Sequence, residues 1–152
     1  MSQLDPWYVT GLVDGEGCFM VSFNLRPSLS VGIEVRPAFA VALNKRSLKV
    51  LKALRHFFGC GAIRYSRRDR TYKWEVRSVP DIVRHVLPHF ECYPLQTAKW
   101  EDFKRFAQIC RWVYTNHHRN REYLRRIIEL AYEMNPSGKR RYRKEELLRV
   151  LG

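Results

Sequence analysis

From Cys18 to Arg26 apolar and polar side chains alternate. Phe19, Val21, Phe23 and Leu25 fall on one face, and Met20, Ser22, Asn24 and Arg26 on the other. That period belongs to a strand with one buried face. A second alternation, about Gly32 to Leu43, groups Ile33, Val35, Phe39, Val41 and Leu43 opposite Glu34, Arg36, Ala38, Ala40 and Ala42. Pro37 points to an edge or a bulge. The alanines leave room for something bulky against that face. Ala62–Ser66 and Tyr72–Arg77 read as a further pair, with Trp74 and Val76 inward and Lys73, Glu75 and Arg77 outward. Arg67, Arg68, Asp69 and Arg70 form its hairpin tip.

The other segments have helical period. Asp5-Pro6 starts a helix that Gly15 and Gly17 close near Asp14, with the carboxylate as N-cap and proline at the first turn. Ser47–Phe58 carries Leu48, Leu51, Leu54 and Phe58 on one face and stops at Gly59-Cys60-Gly61. Further helices are expected from Pro80 or Asp81 to Pro88, from Leu95 to Tyr114 and from Arg121 to Met134. A break at Asn135–Gly138 and the basic stretch Lys139–Lys144 precede a short helix at Glu145–Val150. The order implies an α+β fold: an antiparallel sheet backed by helices on one side. Its open face would display Ser22, Asn24, Arg26, Arg36, Arg64, Ser66, Lys73, Glu75 and Arg77. Such a mixture of cations, amides and hydroxyls suits base edges better than a plain charge patch does.

Length and charge narrow the partners. At 152 residues, with a net charge of +13, the chain suits one domain and a polyanionic partner. We expect a domain over 1–135 and a basic extension over 136–152. No apolar run is long enough to span a membrane, and the N-terminus lacks a signal-peptide layout. An intracellular location is expected, in a bacterial or archaeal cytoplasm or an organelle. Cys18, Cys60, Cys92 and Cys110 have no metal spacing and read as buried thiols. His85 and His89 stand four apart without a third ligand.

The first 44 residues run against the charge trend: Asp5, Asp14, Glu16 and Glu34 outnumber Arg26 and Arg36. Within Val9-Thr10-Gly11-Leu12-Val13-Asp14-Gly15-Glu16-Gly17, Gly11 and Gly15 share a helix face that a second backbone could approach closely. Asp14 and Glu16 lie at the helix C-terminus, where the macrodipole disfavours anions. A cation is needed there, and a divalent metal would supply it.

This nonapeptide resembles the motif of the LAGLIDADG homing endonucleases. The resemblance continues through Cys18-Phe19, Phe39-Ala40-Val41, Leu51 to Gly61, and Tyr93 to Lys99 with Asp102-Phe103, spanning about residues 7–110. It implies an αββαββα fold with a saddle-shaped sheet, here with extra C-terminal helices. One motif implies a homodimer, paired through Tyr8, Gly11, Leu12, Asp14 and Gly15. It implies site-specific, intron-encoded, Mg²⁺-dependent cleavage of both strands of a long pseudo-palindromic DNA site. Glu16 would be the metal ligand and Asp14 structural. Lys99 would polarise the phosphate or water. The family often places a water-ordering Gln where this chain has Leu43, and the adjacent Asn44 is the candidate substitute. The sheet face would read bases. Arg67, Arg68 and Arg70 would meet outer base pairs or backbone, and the tail, Lys139 and Arg140 included, would meet phosphates. Two other readings on the same fold are an RNA-splicing maturase bound to intron RNA and a non-catalytic DNA-binding protein. A basic patch on the helical side would favour RNA, and Lys104-Arg105 and Arg119 to Arg126 are its candidates.

Overall fold

The computed structural model describes residues 3–135 and 138–152. The break expected at Asn135–Gly138 lies partly outside them. Helix α1 (Pro6–Glu16) starts as anticipated: the Asp5 carboxylate accepts from the Trp7 N–H at 2.8 Å, and Pro6 needs no donor partner. It runs two residues beyond Asp14, because Gly15 stays helical. Gly17 follows in extended backbone, at a place where a Cβ would come within 2.5 Å of the Val13 side chain.

Strands β1 (Gly17–Leu25), β2 (Ile33–Asn44), β3 (Ala62–Ser66) and β4 (Thr71–Val76) form one antiparallel sheet, ordered β1-β2-β4-β3. β2 is central, yet β4 pairs with it only from Phe39 to Asn44. Pro37 therefore lies in the half of β2 that has β1 alone beside it, where the missing donor is tolerated. Leu25 does not join the apolar face; it is exposed where β1 leaves the sheet.

The inward face closes on an aromatic core. Phe19 stacks on Phe39 with ring centroids 4.9 Å apart, and Phe58 stacks on Trp74 at 5.3 Å. Helix α2 (Leu48–Phe58), after a 3₁₀ turn at Lys45–Ser47, contributes Leu51, Leu54 and Phe58 to it. The Trp74 indole donates to the Cys60 carbonyl at 2.9 Å. A side chain at Gly61 would strike that indole, and the φ of +92° there suits glycine alone.

The next helix outlasts its expected end at Pro88. Helix α3 (Val79–Asp81) passes through a π turn (Ile82–Val86) into α4 (Leu87–Cys92). The wider π turn accommodates Pro88, which lacks a donor and would crowd the preceding turn of an α-helix. Helix α5 (Lys99–Tyr114) begins four residues later than the periodicity implied, and α6 (Arg121–Tyr132) ends two residues early. Helix α7 (Lys144–Leu151) packs on α6 and buries Leu147 and Leu151 in the same core as the sheet. Cys110 is buried, Cys18 and Cys60 half-buried, but Cys92 is exposed. Among the described residues no helix is long and apolar enough to cross a membrane.

β1 is an edge strand, and its outer carbonyls have donors. Asn135 Nδ2 donates to the Phe19 carbonyl at 2.8 Å, and Arg140 Nη1 to the Val21 carbonyl at 2.8 Å. Arg140 also donates to the Ala131 carbonyl and lies 4.4 Å over the Tyr132 ring. Expected among the phosphate contacts, this guanidinium instead faces inward.

Candidate active site and nucleic-acid interface

The acidic end of α1 abuts the start of α5. Asp14 accepts from the Gln96 N–H at 2.8 Å, the Thr97 N–H at 3.1 Å and the Thr97 hydroxyl at 2.7 Å. Burial would raise its pKa; the Gln96 and Thr97 hydrogen bonds and the Lys99 charge outweigh that and hold it below the usual carboxylate value. Asp14 is thus bound to its own chain's Gln96–Thr97 loop. That grip keeps Gln96 and Thr97 out of the helix and explains the late start of α5.

Lys99 Nζ donates to three carbonyls at the α1 terminus: Val13 at 2.8 Å, Asp14 at 3.1 Å and Gly17 at 2.6 Å. The cation needed at this helix end is therefore an ammonium from α5. It occupies the negative pole of the macrodipole and satisfies carbonyls the helix leaves unpaired. Lys99 was expected to polarise phosphate or water; its protons point at backbone.

Glu16 is the last residue of α1 and is exposed. It takes part in none of the ion pairs among the described residues. Among the described residues no three of His, Cys, Asp and Glu converge on a metal position there. A free carboxylate on a rigid helix end does suit a hard divalent cation, which takes one or two carboxylates and completes its shell with water and phosphate oxygens. Asn44 ends β2, three residues beyond Val41, the partner of Gly17. Its Oδ1 accepts from the Arg46 N–H at 3.0 Å.

The flank of α1 is open. A Cβ at Gly11 or Gly15 would meet nothing within 4 Å. Trp7 and Tyr8 are exposed beside them, and Leu12 is half-buried. On the other flank, the Thr10 hydroxyl gives its one proton to the Tyr93 carbonyl at 2.8 Å, so His89 Nε2, 3.1 Å away, is the donor in the second bond. His89 is a neutral imidazole; burial depresses its pKa to about 4.

The outward sheet face carries the residues expected of it. Ser22, Arg36, Arg64 and Lys73 are exposed, and Asn24 and Ser66 half-exposed. Two departures matter. Glu75 is buried, not solvated, opposite Ala40 and Ala62, and holds Arg77 Nε at 2.6 Å. Arg26 pairs with Glu34 at 3.3 Å. The hairpin tip with Arg67, Arg68 and Arg70 lies beyond the Asn44–Thr71 pair, at the end of the sheet nearer Glu16. That is opposite to the Leu25–Ile33 end, where outer contacts would fall. Lys139 and Arg141 are exposed. On the helical side four cations are matched by acids: Lys104 with Glu101, Arg105 with Glu133, Arg111 with Glu91 and Arg126 with Glu122. Arg121 and Arg125 donate to the last carbonyls of the chain.

Residues 9–110 match the family model described as LAGLIDADG endonuclease. A relative from Neurospora crassa, "Probable intron-encoded endonuclease 2", is 30% identical over 133 residues, covering 87% of this chain and 29% of its own length. The chain spans about a quarter of the first curated relatives it matches: 26%, 29% and 25%. Among solved structures, the homing endonuclease I-TnaI matches with a TM-score of 0.85 and 38% identity, covering 99% of this chain and 97% of that one. I-SmaMI bound to an uncleaved DNA target in the presence of calcium ions matches with a TM-score of 0.87 and 31% identity, covering 95% and 48%. With its motif at the end of α1 and its four-stranded sheet, this chain belongs to the LAGLIDADG endonuclease family.

Proposed function

We propose that the chain is one half of a site-specific homing endonuclease that makes a double-strand break in a long pseudo-palindromic DNA site by metal-dependent phosphodiester hydrolysis. The observation that carries this reading is Glu16: an exposed carboxylate without an ion-pair partner, on a helix end that Lys99 fixes in place, immediately ahead of the polar sheet face. A second copy docks through the Gly11–Gly15 flank and brings two Glu16 side chains together. The two Glu16 carboxylates would hold Mg²⁺ or another hard divalent cation, which would relieve their mutual repulsion. When bound, such a metal would supply activated water and stabilisation of the leaving oxygen.

The chain's own residues do the rest. Glu16 binds the ion, and Lys99 and Asp14 keep α1 at a fixed height against α5. Asn44, whose Oδ1 accepts from the Arg46 N–H, orders water near the phosphate. Ser22, Asn24, Arg36, Arg64, Ser66 and Lys73 read base edges or phosphates, with Glu75 holding Arg77 in place beside them. Arg67, Arg68 and Arg70 grip the duplex near its centre. The engagement of Lys104, Arg105, Arg111 and Arg126 by acids, and of Arg121 and Arg125 by carbonyls, speaks against an intron-RNA surface there.

The test is incubation of wild type and Glu16→Gln with Mg²⁺ and a plasmid carrying the joined flanks of the gene's own insertion point. Wild type should linearise it and Glu16→Gln should only bind it. Tight binding by wild type without cutting would sink the nuclease reading; equal cutting by both would sink the assignment of Glu16.

A further inference from the structure

No acid occurs between Glu34 and Asp69. Within that stretch Lys45, Arg46, Lys49, Lys52, Arg55 and His56 are all exposed. Among the described residues none of these side chains makes an ion pair. This sets α2 apart from α5 and α6, where Lys104, Arg105, Arg111 and Arg126 pair with acids and Lys99, Arg121 and Arg125 donate to carbonyls. Lys45, Lys49, Lys52 and His56 recur every three or four residues, so they share one helix face. The opposite face is spent on the core, where Phe58 stacks on Trp74 and packs edge-on against Phe39. The cationic face therefore points away from the polar sheet surface. It is nevertheless continuous with that surface, because the Lys45 N–H donates to the Arg70 carbonyl at the hairpin tip at 3.2 Å.

We infer that the outer face of α2 is a second, sequence-independent binding surface for duplex DNA. A row of three lysines about 10 Å long, extended by His56, matches a phosphate backbone. The row lacks an exposed Phe, Tyr or Trp ring on which successive unpaired bases could stack, which disfavours single strands. It lacks exposed apolar residues for a lipid surface. One duplex is too stiff to wrap from the sheet face to the back of α2, so the surface takes a second segment, and the hairpin tip links the two tracks.

The test is a bridging assay. Protein on a bead-bound random 24-bp duplex is offered a second, fluorescent random duplex. Wild type should capture it, with capture falling steeply with salt. The triple variant Lys49→Gln/Lys52→Gln/Arg55→Gln should bind the first duplex within about twofold of wild type, melt normally and lose about tenfold or more of the capture. Lys49→Arg/Lys52→Arg should capture normally. Absence of capture by wild type, or undiminished capture by the triple variant, overturns the proposal. So does preferential capture of a fluorescent RNA hairpin over the duplex, which would assign the face to RNA. Failure on the first duplex would overturn it together with the DNA-reading role of the sheet.

Discussion

Lys99 Nζ lies 2.6 Å from the carbonyl of Gly17, so a charge on α5 fixes the residue that turns α1 into β1. Replacing Lys99 by Met leaves three carbonyls at the helix end without that donor. The expected loss is about 2–3 kcal/mol, a fall in Tm of roughly 5–10 °C for a domain of this size. Cleavage should disappear even at temperatures where the variant is folded. A variant that melts like wild type would show that the ammonium does not hold the helix end.

Asp14 gives the same junction an acid limit. Its folded pKa lies below the unfolded value, so its contribution is complete above the ordinary carboxylate pKa of 3.8 and is lost as pH falls through the lower folded value. Thermal melts from pH 6 to pH 2.5 should show this loss in wild type, and Asp14→Asn should lack part of it. Identical pH slopes in the two proteins would contradict the Gln96–Thr97 grip.

His89 works in a different window. Its folded pKa of about 4 lies below the ordinary imidazole value of 6.5, so the unfolded chain binds the extra proton first. Stability should be full above pH 6.5 and decline as pH falls toward 4. Imidazole NMR titration should find this ring still neutral at pH 5.5. A midpoint near 6.5 would mean that the ring is solvated rather than wedged beside Phe57, Phe58 and Tyr93.

The glycines of α1 separate folding from assembly. In the single chain a methyl at Gly11 or Gly15 has open space, and alanine favours a helix interior by about 1 kcal/mol. Gly11→Ala/Gly15→Ala should therefore fold at least as well as wild type, while sedimentation shows it shifted toward monomer. A variant that remains as dimeric as wild type would place the pairing surface elsewhere.

The alternating runs around Phe19, Val41 and Trp74 revealed the sheet in the sequence because each strand buries one face, and burial imposes the period of two. The Asp5-Pro6 start was legible for a similarly local reason. The junction between Asp14, Thr97 and Lys99 was not, since its partners stand more than eighty positions apart and no local period encodes the match. Lys99 could be singled out by resemblance, but its bonding to carbonyls could not. Arg140 misled because a basic run normally belongs to solvent; only an edge strand with unpaired carbonyls at Phe19 and Val21 gives a guanidinium reason to turn inward. Glu75 misled for the opposite reason: alanines at 40 and 62 leave the space in which a carboxylate becomes covered.

The donors that Asn135 and Arg140 send to β1 stand in for a fifth strand. A chain truncated after Met134 would keep most of its core and its motif, yet present a row of unpaired carbonyls along a nine-residue strand. Such a rim is a template for edge-to-edge pairing between molecules. The last eighteen residues thus act as an aggregation guard, and shortening this protein for engineering would trade a basic tail for a sticky sheet.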